Sequence, residues 1–216
     1  MADIFDELQD DMRAERARQL ATRWGGVLGV VALLALAGVG GWQGWRWYQT
    51  QQAEQTAAIF LEASRNAEQE NADLGAAGNR FAAVAESAPP GYRTLARLRA
   101  AALKAETGDR DAALALWDAV AADPDADRLY RDLGSLMWAL HGLDSQDPAA
   151  LSARLEPLAA DSSPWRASAR ELQALVSMRR GERDVARRTL QALAQDTTAP
   201  QGIRSRAARL AAGLDG

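Results

Sequence analysis

From Trp24 to Trp45 the chain carries no formal charge, and the run is bounded by Arg23 and Arg46. As a helix rising about 1.5 Å per residue, this run is roughly 33 Å long, enough to cross a hydrocarbon core of about 30 Å. Trp24 opens it, and Trp42, Trp45, Trp47 and Tyr48 close it. Aromatic belts form at such places, because an indole pairs an apolar body with an N–H that seeks water or headgroups. Residues 24–45 are therefore expected to form a single transmembrane helix.

Two other readings compete. A cleaved signal peptide would use Ala35-Leu36-Ala37 before Gly38 as its small-residue cleavage site. However, positions 1–23 ahead of the run carry six acids, whereas a signal's leading region is short and positive. Cleavage there would also strand the aromatic belt. A buried core helix is the other reading, opposed by the seven glycines of the run, which weaken a helix in water and are better tolerated in a membrane. Gly25-x-x-x-Gly29 and Gly40-x-x-x-Gly44 fit close approach of another helix, or simply a Gly-rich anchor.

Basic residues set the orientation. Arg13, Arg16, Arg18 and Arg23 stand shortly before the run, against Arg46 and Arg65 at similar distances after it, so the N-terminus is expected to stay cytoplasmic. Residues 1–23 form the cytoplasmic tail. Ile4, Phe5, Leu8 and Met12 share one face at helical spacing, with acids first and arginines last, as the helix dipole prefers. Five acids among positions 3–11 oppose anionic lipid, which leaves a protein contact or none for this amphipathic helix.

Beyond the membrane, Gln49 to Asn71 is rich in Ala, Gln and Glu and has no breaker, so residues 46–73 are expected to carry the helix into a repeat domain over 74–216. There a period emerges. Phe81, Trp117, Leu155 and Leu190 are separated by 36, 38 and 35 positions, and each is followed three on by Val84, Val120, Leu158 or Leu193. Each segment ends in a proline-bearing turn, at Pro89-Pro90, Pro124, Pro164 and Pro200. Two helices in a period of this length are the mark of a helical solenoid, and the nearest standard period is the 34 of the tetratricopeptide repeat.

The alternate helices are expected over about 91–107, 126–142 and 164–181, with Gly108 and Gly181 turning the first helix of a pair into the second. Gln201 to Leu214 caps the array. No strand alternation competes. The fold class is therefore all-α: a transmembrane helix, then a TPR-like α-solenoid of about four helix pairs and a C-terminal capping helix. The first helices lack the usual repeat consensus. Counted back from Gly108 and Gly181, Arg97 and Arg170 fall on packing positions, and Leu95, Leu98, Leu175 and Met178 fall on the inner groove. Either the groove is apolar, or the turn lengths differ and these residues are core. The second is preferred, since a buried unpaired Arg is costly.

Charge is divided along the chain. Residues 46–164 hold 11 basic and 18 acidic side chains, and residues 165–216 hold 10 arginines and five acids. Arg179, Arg180, Arg183, Arg187 and Arg188 gather around one turn, as a solvated helix face or a surface for an acidic partner. With a sequence pI near 5.2, a nucleic-acid binder relying on overall positive charge is excluded.

Catalytic equipment is lacking. His141 is the single His and there is no Cys, so no His/Cys metal site can be assembled, and His141 reads as a capping or surface residue. No nucleophile elbow, phosphate-binding loop or dinucleotide fingerprint occurs. The expectation is no enzyme, no cofactor, no metal and no catalytic residue.

The order of these parts resembles the ancillary SecYEG translocon subunit family, the YfgM-like proteins with a tetratricopeptide-repeat-like domain. Ile4-Phe5-x-x-Leu8-Gln-Asp-Asp-Met12-Arg13-x-Glu15-Arg16 carries the resemblance, with Trp24, then Trp42-x-Gly44-Trp45-x-x-Tyr48, the Ala-rich helix and the degenerate pairs. It implies a single-pass bacterial inner-membrane protein whose periplasmic domain associates with the Sec translocon and a membrane-anchored chaperone of the PpiD type, assisting newly exported, still unfolded chains. It brings no catalytic residues. An anchored scaffold for envelope or cell-division assembly is the alternative that the same layout allows.

Overall fold

Four helix starts in the chain draw on an aspartate placed for them. Asp73, Asp109, Asp127 and Asp147 accept side-chain hydrogen bonds from the backbone N–H of Ala76, Ala112, Leu129 and Ala150, satisfying orphan donors of the first turn. The computed structural model describes residues 3–214, with side-chain surroundings from residue 26 onward except Leu28 and Ala32. Its helices are α1 (Asp3–Ala67), α2 (Leu74–Ser87), α3 (Pro90–Glu106), α4 (Arg110–Ala121), α5 (Arg128–Gly142), α6 (Pro148–Leu155), α7 (Arg166–Arg179), α8 (Arg183–Gln195) and α9 (Gln201–Leu214), with a 3₁₀ turn at Pro157–Ala159. Two compact units divide at Gln52 and Ala53.

The first unit consists of the leading part of α1. The side chains of Ile4, Phe5, Leu8, Met12 and Trp24 lie outside the described residues. Of the described ones, Val27, Val30, Val31, Leu33, Leu34, Leu36 and Val39 are all 53–71% exposed. Among the described residues no helix is long and apolar enough to cross a membrane. Leu28 and Ala32, apolar members of the run, fall outside that statement.

The second unit begins with the end of α1 and stacks antiparallel helices in chain order, α2 on α3 through α8 on α9. No strand occurs among its described residues. Phe81, Trp117, Leu155 and Leu190, the centres of the sequence period, are 0–1% exposed in α2, α4, α6 and α8. One turn earlier stand Ala77, Ala113, Leu151 and Ala186, also buried. At i, i+4 spacing the two members of each pair lie on one face of their helix and turn into the stack together. On the odd helices small residues are buried: Ala101, Ala139 and Ala174, and five positions before them Ala96, Gly134 and Ala169. Small residues let helix axes approach closely. A Cβ added to Gly134 would stand 2.8 Å from the carbonyl oxygen of Trp117 and 3.1 Å from the amide nitrogen of Ala121, so glycine is required there by the α4 backbone.

Gly108 and Gly181 have φ of 84° and 78°, the left-handed conformation that ends a helix at low cost. After each, the next amide returns to a carbonyl of the preceding helix, Asp109 to Lys104 at 2.8 Å and Glu182 to Ser177 at 2.9 Å. The two expected turn glycines thus make the turns α3–α4 and α7–α8.

Some boundaries differ from expectation. α1 ends at Ala67, not in the low seventies, because Ala63 and Ala67 are the last residues it buries against α2 and α3. The polar stretch after them turns over, with the Ala72 amide on the Gln69 carbonyl. α6 stops at Leu155, since Pro157 has no amide for the ladder and its ring displaces the carbonyl four positions back. Leu158 nevertheless reaches the core from the 3₁₀ turn.

The end of the stack is closed by a polar clamp. Glu171 of α7 is buried, and Arg206 of α9 reaches it with Nε and Nη2 at 2.8 Å each. These hydrogen bonds raise the Arg206 pKa above its ordinary value. Arg206 itself is 52% exposed. Removing the two partners should therefore be unequal. Arg206→Ala strands a carboxylate away from water and should cost about 2 kcal/mol, whereas Glu171→Ala lets the arginine turn into solvent and should cost under about 1 kcal/mol. Urea unfolding of both variants measures the asymmetry, and equal losses would contradict it.

Candidate interaction surfaces

Along the described part of the uncharged run, the apolar side chains surround α1. At about 100° per residue, Val27, Val30, Val31, Leu33, Leu34, Leu36 and Val39 reach every side of the helix. Burying one Val or Leu is worth about 1.5–3 kcal/mol, so leaving all seven in water forgoes about 10–20 kcal/mol, as much as the whole stability of an ordinary domain. Helices apolar on every side occur in the core of a large protein or across a membrane. Trp42, Trp45, Trp47 and Tyr48 follow, all exposed, spread around the helix in the same way. The Arg46 guanidinium lies over the Trp42 ring, 4.9 Å from its centre. The Gln52 amide donates to the Tyr48 hydroxyl at 2.9 Å.

In the second unit the odd-numbered helices also touch one another, α3 with α5, α5 with α7 and α7 with α9. They therefore make the inner layer. Leu95 on α3 and Leu140 on α5 are exposed at 38% and 45%, and Ile59, also exposed, stands one repeat before Leu95. Leu98 and Leu175 are half-buried against core clusters, and Met178 is half-buried too. The inner layer thus mixes core and surface residues.

The expectation that Leu95, Leu98, Leu175 and Met178 are core holds for Leu98 and Leu175, which pack on core clusters, and not for the exposed Leu95. Arg97 and Arg170 are both satisfied, with side chains 25% and 37% exposed. Arg97 donates to the buried Asp123 at 2.7 Å, with Arg93 3.9 Å away. Arg170 donates to Asp161 at 2.8 Å and to the Ala159 carbonyl at 3.2 Å. Arg166 joins Asp196 at 2.6 Å, repeating the Arg93–Asp123 pair two repeats further along the stack. Arg131 on α5 donates to the carbonyl of Ala126 at 2.9 Å. The turn after each even helix from α4 to α8 is thus latched to an odd helix by arginine. The Arg166 and Arg170 hydrogen bonds hold the Asp161 carboxyl below its usual range, and the Thr198 hydroxyl and amide do so for Asp196.

The five arginines expected as one patch are divided. Arg179 donates to the carbonyls of Leu143 and Gln146, tying α7 to the turn after α5. Arg180 pairs with Glu182 at 3.1 Å and Arg187 with Asp184 at 2.8 Å. Arg183 and Arg188 remain exposed at the surface, about 140° apart around α8.

His141 is half-buried in the last turn of α5. Its ring stacks on Trp117, with centroids 4.3 Å apart and 28° between planes. Burial, then the Arg110 charge, lowers its pKa from 6.5. The unfolded chain consequently binds more protons than the folded one between the folded value and 6.5, so stability declines as pH falls through that window. Thermal melts at a series of pH values from about 7.5 down to about 5 should show this decline in the wild type and a flatter profile in His141→Phe. The losses from the depressed aspartates lie lower, around and below 3.8. An identical slope in both proteins would contradict the assignment. No group of three or more acidic or His residues able to hold a metal occurs among the described residues.

Helix pairs stacked in register, small residues at the crossings and an inner layer of odd helices define a repeat α-solenoid, typically a protein-interaction scaffold. Residues 18–210 match the tetratricopeptide repeat-like domain family, and the chain belongs to it. No curated protein and no solved structure matches the chain.

Proposed function

We propose that this chain is a single-pass protein of the bacterial inner membrane, anchored by residues 24–45, with residues 1–23 cytoplasmic and the repeat domain periplasmic. There it associates with the Sec translocon and a PpiD-type membrane chaperone and assists newly exported chains, as the resemblance to the YfgM-like family implies. One observation carries the reading: a helix apolar on all sides, ringed by aromatics at the C-terminal end of the run, occurs in the same chain as a tetratricopeptide repeat-like domain. Tethering supports the role, because a module held near its partner acts at an effective concentration on the order of millimolar. The exposed Leu95 and Leu140 suit an extended apolar segment better than a charged one.

In vivo photocrosslinking from position 95, 140, 183 or 188 of the full chain tests the proposal. Adducts with SecY-type and PpiD-type proteins, retained in mild detergent, are expected from at least the inner-layer positions. Adducts only with wall-synthesis or division proteins would overturn it.

A further inference from the structure

Arg46 is the only formal charge between Arg23 and Glu54. Its guanidinium makes no ion pair or hydrogen bond among the described residues, and it rests on the face of Trp42. Two ridges of α1 meet here at i, i+4 spacing: Trp42, Arg46 and Thr50 on one, Gln43 and Trp47 on the other. Between them lies an open hollow of about 340 Å³ lined by these five side chains. Its one charge is the Arg46 guanidinium, beside the Trp42 and Trp47 rings and the Gln43 carboxamide, with no carboxylate in the lining, while the Thr50 hydroxyl donates to the Arg46 carbonyl at 2.9 Å.

We infer that this hollow binds the phosphodiester of a phospholipid headgroup in the leaflet at the C-terminal end of the run. The inference rests on the membrane reading above. A phosphodiester is an anion with acceptors only, which matches a donor-rich site, and a planar guanidinium engages two of its oxygens at once. Trp42 and Trp47 wall the hollow with surface suited to the glycerol backbone and first methylenes, and Trp42 holds the guanidinium by a cation–π contact. The apolar surface continues from the hollow into the run, so a lipid is the occupant that satisfies both ends.

The test uses the full chain. Membranes are first washed with carbonate; the retained protein is then purified in mild detergent with equal amounts of phosphatidylglycerol and diglucosyldiacylglycerol of matched acyl chains. Bound lipids are counted by native mass spectrometry. Wild type should hold the phospholipid about fivefold over the glycolipid. Arg46→Gln should bring the ratio close to one while the protein still resists carbonate, and Arg46→Lys should fall between. A wild-type ratio of one, or an unchanged ratio in Arg46→Gln, overturns the site. Release of wild type by carbonate overturns the membrane reading itself, and the site with it.

Discussion

Replacing Leu34 and Leu36 by arginine should release the chain from membranes into the carbonate-soluble fraction, while Leu34→Ala with Leu36→Ala leaves it in the pellet. Both residues stand at the middle of the run and are about as exposed as any described apolar residue. An arginine at the centre of a spanning helix costs about 2.5–3.5 kcal/mol, so two cost about 5–7 kcal/mol. That is comparable to what a run interrupted by glycines gains on insertion, which is why two arginines rather than one are needed. The alanine pair removes apolar area without introducing charge and separates hydrophobicity from helix length. Retention of the arginine pair in carbonate-washed membranes would show that the run is held by something other than lipid.

Trp117→Ala should be the most damaging single truncation in the repeat domain, at about 3–5 kcal/mol, seen as a fall in Tm on the order of 10 °C. Trp117 is buried, packs with Ala101, Ala113 and Leu114, and supports the His141 ring. Its loss leaves a void at the crossing of α4 with α5, and a solenoid has only nearest-neighbour interfaces to compensate. Gly134→Val attacks the same crossing from the other side by forcing two backbones apart, and should cost at least about 1–3 kcal/mol. The two changes share a contact, so their combination should fall short of the sum. Circular dichroism melts of the three variants check this. A Trp117→Ala protein within about 1 kcal/mol of wild type would mean that the crossing is looser than the 2.8 Å between the Trp117 carbonyl oxygen and a Cβ added at Gly134 indicates.

Much of the fold is legible because it is periodic. The spacing of Phe81, Trp117, Leu155 and Leu190 marks four even helices, since one bulky side chain per repeat must fill the same gap between paired helices. Gly108 and Gly181 are legible for a local reason, the left-handed backbone that a tight helix turn needs. Less legible is where polarity goes in the interior. Arg97 and Arg170 look misplaced in sequence because nothing in their own helices pairs with them. Their partners, Asp123 and Asp161, stand in the turns after α4 and α6, which only the stacking brings alongside. Glu171 and Arg206 carry no signal at all: each is an ordinary helical residue until α9 folds back on α7. The arginines at 179–188 separate for the converse reason, since adjacency in the chain does not tell which guanidinium finds a carbonyl, as Arg179 does, and which stays in water.

The uncharged run, the helical repeat and its turning points thus follow from local chemistry alone: charge, spacing and backbone conformation, all of which are written along the chain. Which charges are neutralised, and which leucines remain open, was settled in three dimensions. That depends on distant residues meeting across helix crossings, as where the half-buried Arg97 meets the buried Asp123 from the turn after α4.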